Sequence, residues 1–108
     1  MTVQELLKLA NLKVINEGDL SKNIDNVYIG DLLSWVMANA EPDNVWLTIM
    51  SNVNIVAVAT LTEVSCIVLC EGVSADDDCL NKAKEQGVTI LGTDKSIYET
   101  AIDINKII

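Results

Sequence analysis

The sequence predicts a three-layer α/β domain: a mostly parallel sheet with helices on both faces, built from an N-terminal helix followed by three consecutive strand-helix units. Three observations carry that expectation. From Asp43 onward, β-branched and apolar runs alternate regularly with helical stretches, a pattern that implies parallel strands joined by right-handed crossovers. The apolar half of the composition (50%) holds no Phe and only 4% aromatic residues, so Ile, Val, Leu and Ala must fill the interior, the palette of a sheet covered on both faces. Finally, 108 residues suffice for one core but not two, and residues 1–108 are expected to form a single domain.

The elements follow in order. Thr2 and Glu5 have the spacing of a capping box, and Val3, Leu6, Leu7 and Ala10 recur on one helical face, predicting a short first helix. Leu12 to Ile15 reads as a short extended segment, Asn16 to Asn26 as a polar loop, and Val27 to Ile29 as a second short strand. Asp31 is then expected to cap a helix carrying Leu32, Leu33, Trp35, Val36, Met37 and Ala40, which stops before Pro42. The first repeated unit opens with the strand Val45 to Ile49 and continues with a helix from about Val53 to Thr62. That helix is apolar on nearly every face, the signature of a helix buried all round. So small a domain can cover one flank with its own sheet, and the other calls for a neighbouring chain, which predicts a homodimer.

The second unit runs from the strand Val64–Cys70, through Glu71-Gly72, to a helix opened by Ser74 with Asp76, Asp77 and Asp78 in its first turn, where carboxylates suit the positive end of the helix dipole. Gly87 supplies the C-terminal stop. The third unit is the strand Val88–Leu91, the turn Gly92-Thr93-Asp94, and a helix carrying Ile97, Tyr98, Ala101, Ile102 and Ile104.

Composition removes several function classes. The net charge is −9, and every basic residue is Lys, so no Arg fork exists for phosphate or guanine and direct nucleic-acid binding is not expected. No His is present, which excludes Ser-His-Asp and Cys-His arrangements and His-containing zinc sites. Neither GxxxxGK[ST] nor GxGxxG follows any strand. Consecutive carboxylates on a helix point about 100° apart, so Asp76 to Asp78 do not read as a metal site. Cys66, Cys70 and Cys79 are an odd number without framework spacing, as in a reducing cytoplasm. Cys70, at a strand end beside Glu71-Gly72, is the one thiol placed to react, set against a plain core role. The opening MTVQELLKLA lacks a basic n-region, and no apolar run reaches the roughly 20 residues that span a bilayer. A cytoplasmic protein without membrane partners is expected.

What is left is geometry. Ligands of open parallel sheets settle at the carboxyl ends of the strands, among helix N-termini and glycines. Here those ends offer Thr48, Ser51 and Asn52; Glu71 and Gly72; and Gly92, Thr93 and Asp94. Hydroxyls, amides and main-chain N–H groups suit a small polar or anionic ligand, although the same residues also serve as ordinary turns and caps. None of these loops carries a basic residue before Lys95.

The segments YIGDLLSWV (28–36), NVWLT (44–48), NIVAVA (54–59) and GTD (92–94) with YETA (98–101) together resemble a DRTGG domain over essentially the whole chain. Relatives of that kind include stand-alone bacterial proteins of this length and domains that accompany CBS domains in regulatory pyrophosphatases. Similar folds occur at the N-terminus of HPr kinase/phosphorylase and within some phosphotransacetylases. The resemblance implies a three-layer α/β domain, often dimeric, with regulatory or ligand-sensing roles and no established catalytic residues or cofactor. The family's Asp-Arg and Thr-Gly-Gly fall at Ser51-Asn52 and Cys70-Glu71-Gly72, where Gly72 alone keeps the pattern. The leading expectation is therefore a non-catalytic regulatory domain, homodimeric, sensing a small molecule such as an adenine nucleotide. The alternative is a protein-protein interaction module that engages a partner protein without any small ligand.

Overall fold

Four of the five strands are parallel, and each is added on the same side of the one before it. The computed structural model describes all 108 residues, with elements in the order α1 (Val3–Leu9), β1 (Lys13–Asn16), β2 (Asn26–Ile29), α2 (Leu33–Asn39), β3 (Asn44–Thr48), α3 (Asn54–Thr62), β4 (Cys66–Leu69), α4 (Asp77–Gln86), β5 (Ile90–Gly92) and α5 (Ile97–Asn105). The sheet order is β1-β5-β4-β3-β2. Strands β2 to β5 pair in parallel, whereas β1 runs antiparallel to β5 with Lys13 opposite Gly92. The strand-helix repeat thus begins at Asn26 rather than Asp43, because β2 and α2 form a unit of the same kind.

The three crossovers leave α2, α3 and α4 on one face of the sheet, where Val36, Ile55, Val56, Cys79 and Ala83 pack on Trp46, Ile67, Leu69 and Ile90. On the other face, Val3 and Leu6 of α1 and Ile104 of α5 cover Val45, Leu47, Cys66, Val68 and Leu91. This is the expected three-layer arrangement. Strands β3 and β4 are buried along their whole length, which explains why they read as continuous apolar runs rather than alternating ones.

Several local expectations need correction. Asp31 does not cap α2: the N-cap position is Leu32 and no side chain caps it, because the Asp31 carboxylate is engaged at the end of β3 instead. Ser74 does not open α4 either; Asp76 is its N-cap, accepting from the Cys79 N–H at 2.8 Å, so only Asp77 and Asp78 lie in the first turn. Helix α3 is not buried all round in the single chain. Ile55, Val56, Val58, Ala59 and Thr62 face inward, while Ala57 and Leu61 are exposed, the latter by 68%. The capping box at Thr2 and Glu5 is present in both directions.

Trp46 is the largest fully buried side chain, and its indole N–H donates to the Gly30 carbonyl at 2.9 Å. That bond ties the end of β2 to the middle of β3. Trp46→Leu is expected to lower stability by about 2–3 kcal/mol, through a cavity and an orphaned carbonyl, measured as a lower urea midpoint with unchanged slope.

Candidate functional site

The connections reverse at one point of the sheet. After β4 the chain enters α4 on one face, and after β5 it enters α5 on the other, so the carboxyl ends of β4 and β5 diverge and leave a crevice between them. A cleft of about 260 Å³ occupies it, lined by Lys13, Ile15, Gly72, Val73, Ser74, Ala75, Leu80, Gly92, Thr93 and Asp94. A smaller hollow of about 200 Å³ lies against the same Gly92-Thr93-Asp94 turn, bounded by Asn11, Lys13 and Lys95. Another cleft, of about 290 Å³, sits at the opposite edge among Asp43, Glu63, Gly87 and Thr89. There the C-terminal caps of α3 and α4 present carbonyls rather than N–H groups, which disfavours anions.

Main-chain bonds lace the rim of the β4/β5 crevice together. Val73 N–H donates to the Cys70 carbonyl at 3.3 Å, and Glu71 and Gly72 both hold positive φ, 62° and 70°, which makes a type I′ turn. The Glu71 N–H donates to the Lys95 carbonyl at 2.8 Å and the Gly72 N–H to the Thr93 carbonyl at 2.9 Å. Thr93 N–H in turn reaches the Leu69 carbonyl at 3.0 Å, and Asp76 N–H the Ser51 carbonyl at 3.4 Å. The loops after β3, β4 and β5 therefore form one connected rim. A side chain at Gly92 would meet the Ile15 Cδ1 at 2.7 Å, so the absence of one leaves room for Ile15 at the floor of the crevice.

Of the eight residues singled out from sequence, Gly72, Gly92, Thr93 and Asp94 come together around this cleft. The other four lie elsewhere on the rim. Thr48 is fully buried; its hydroxyl donates to Asp31 Oδ1 at 2.7 Å and accepts from the Met50 N–H at 3.1 Å, which occupies it locally. Asn52 accepts from the Asn54 N–H at 2.9 Å, Ser51 is half-buried, and Glu71 is exposed. Asp31 holds the end of β3 by accepting from both Thr48 and the Ile49 N–H, the latter at 3.0 Å.

Lys13 was not among the residues expected here. It arrives because β1 runs antiparallel to β5, which brings its first residue to the carboxyl end of the neighbouring strand. Its ammonium lies 3.5 Å from Asp94, with both side chains largely exposed, so the pair is weak and easily exchanged. Lys95 is held differently: its 2.7 Å contact with Asp103 raises the Lys95 pKa and lowers that of the Asp103 carboxyl. The three cysteines are free and buried. Burial pushes the Cys66 thiol up to about 12. It also raises Cys70, opposed by a hydrogen bond with Thr100 and reinforced by the nearby Glu71 and Asp31 carboxylates, so Cys70 has the surroundings of a core thiol rather than a nucleophile.

A model of the DRTGG domain family matches residues 5–107 of the sequence. The chain belongs to the DRTGG family. No curated protein matches it at the level of individual sequences. Among solved structures, it is similar to the crystal structure of the CBS and DRTGG domains of the regulatory region of Clostridium perfringens pyrophosphatase, complexed with the activator diadenosine tetraphosphate. The TM-score is 0.72 at 13% identity, over 95% of this chain and 45% of that one. The present DRTGG domain thus spans less than half of the length of that chain, and the likeness is one of fold.

Glu71 holds a strained position: its φ of 62° is one that L-residues adopt at a cost of about 1–2 kcal/mol. Glu71→Gly is expected to raise stability by up to about 1 kcal/mol, after allowance for the greater freedom of glycine in the unfolded chain. Gly72→Ala, by contrast, should cost about 1–2 kcal/mol, since its Cβ would also lie 3.1 Å from Asp94 Oδ1; chemical denaturation of both variants separates the two effects. Asp31→Ala leaves the Thr48 hydroxyl and the Ile49 N–H without their acceptor and is expected to cost about 1.5–3 kcal/mol, with local loss of amide protection at Ile49 in hydrogen exchange.

Proposed function

We propose that this DRTGG domain is a non-catalytic regulatory module that acts as a homodimer and senses a small molecule of the adenine nucleotide class in the crevice between β4 and β5. The observation that carries the reading is the reversal of chain connections at that crevice, the place where open α/β sheets hold their ligands. It coincides here with a cleft bearing two glycines, the Thr93 hydroxyl and an exchangeable lysine. At about 260 Å³ the cleft sits just below the range of roughly 300–1,000 Å³ usual for small-ligand sites, which favours a compact ligand with one anionic group for Lys13. The activator bound by the pyrophosphatase regulatory region points to the same chemical class. The chain has no imidazole to activate the hydroxyls of Ser74 and Thr93, which supports binding rather than turnover.

Calorimetric titration with AMP, ADP and ATP tests the reading. Binding is expected for the native protein, weakened about tenfold by Lys13→Ala, the ~1.4 kcal/mol of one charge-assisted contact. Ser74→Trp, which fills the cleft from an exposed position, should abolish it. Absence of heat with all three nucleotides and a folded sample would overturn the sensing role.

A second reading, a protein-protein interaction module that needs no small ligand, is favoured by a separate observation. Leu32, Trp35 and Leu61 are each more than 60% exposed on or beside α2 and α3, an amount of free apolar surface typical of an interface.

A further inference from the structure

Exposed apolar side chains occur on both faces, Leu9 and Tyr98 on α1 and α5 and Leu32, Trp35, Met37 and Leu61 on or beside α2 and α3, but only the second group flanks an apolar groove. Helices α2 and α3 lie next to each other on the same face of the sheet, and an open groove of about 630 Å³ runs between them, walled by Leu33, Met37, Ala57 and Val58. Trp35 stands 64% exposed and Leu61 68% exposed on these same helices. None of the 16 acidic or 7 basic side chains falls within Leu32–Ala40 or Asn44–Thr62. In a chain of net charge −9, these two helices carry no carboxylate of their own, the nearest being Asp31, Glu41 and Glu63 at their ends, and they offer Ser34, Asn39, Asn54 and Thr60 as polar groups.

Charge decides what can cover it. Two copies of an acidic chain repel wherever carboxylates meet, and like charges brought together across an interface cost several kcal/mol. Only a charge-free face lets apolar burial proceed without that opposition. A different protein chosen to bind so acidic a domain would gain from a basic surface and would be steered to faces such as the start of α4, with Asp76, Asp77 and Asp78, rather than to one that offers no field.

We infer that the α2–α3 face is the surface on which a second copy of this chain docks, in a two-fold arrangement that seats α3 of each protomer against the groove of the other and buries both copies of Trp35 and Leu61. The inference rests on the homodimer reading above and adds its location and chemistry. Self-association on this surface is isologous: the same uncharged patch meets itself. It also supplies the covering that α3 lacks within one chain.

Sedimentation of the native protein, with Trp fluorescence across a dilution series, tests it. A dimer is expected whose association does not weaken as salt is raised, since the contact is apolar and salt screens only the net repulsion. On dilution the emission should shift to the red, a change that reports Trp35 because Trp46 is fully buried in the protomer. Ala57→Glu and Leu61→Asp replace exposed side chains, so each should fold normally by circular dichroism while raising the dimer dissociation constant by about a hundredfold or more. Asp78→Leu, on the acidic side, should leave it unchanged. A native dimer that survives both substitutions would overturn this location while leaving the homodimer intact. A folded native monomer at every concentration would overturn both and give the face to a different protein.

Discussion

The whole arrangement depends on one constraint: parallel neighbours cannot be joined by a tight turn, so every parallel pair in this sheet requires a crossover that carries a helix. From β2 through β3 and β4 to β5 the chain steps the same way each time, and crossovers of one hand must then stack on one face. Helices α2, α3 and α4 are the result. The opposite face would be bare were it not for the two ends of the chain, α5 and α1, which close it. Because α5 has to cross over to that face, the connections part after β4 and β5, and the crevice between them follows from the topology rather than from any single side chain.

The same constraint explains where apolar surface is left over. Three helices on one side give α3 two helical neighbours and the sheet beneath it, but nothing above. Its sequence, without a charged residue from Asn54 to Thr62, is that of a helix covered on more sides than one chain provides. Helix α2 shares the property, with Val36 alone buried and Trp35 and Met37 outside. An edge helix selected only for solubility would carry Glu and Lys there.

Much of this was legible from the amino-acid order because buried parallel strands announce themselves as unbroken apolar runs: Val45 to Thr48 and Cys66 to Leu69 could be little else. Capping chemistry was legible where it is local, as at Thr2 with Glu5. It failed where a distant group won the competition. Asp31 has the position of a helix cap, yet the Thr48 hydroxyl and the Ile49 N–H, brought to it by strand pairing, take its carboxylate first. Lys13 could not have been placed at the crevice at all without knowing that β1 turns back antiparallel along β5. The glycine turn was half legible: Gly72 announces a bend, whereas the left-handed Glu71 beside it contradicts its own residue type and is fixed by bonds to a connection distant in sequence.

That contradiction bears on what this copy has kept. A strained non-glycine residue persists when the surrounding structure over-determines it, and here the determinants are visible: the Glu71 and Gly72 N–H groups are both held by carbonyls of the β5–α5 connection. The turn is fixed by its neighbour across the crevice, not by the residues in it. A left-handed glutamate therefore strains the rim without reshaping it, while a side chain at Gly92 would have to displace the tip of Ile15. The geometry of the crevice is thus maintained by main-chain bonding and close packing. Its chemistry is more exposed to change, because it depends on Lys13, Ser74, Thr93 and Asp94, none of which the backbone arrangement requires.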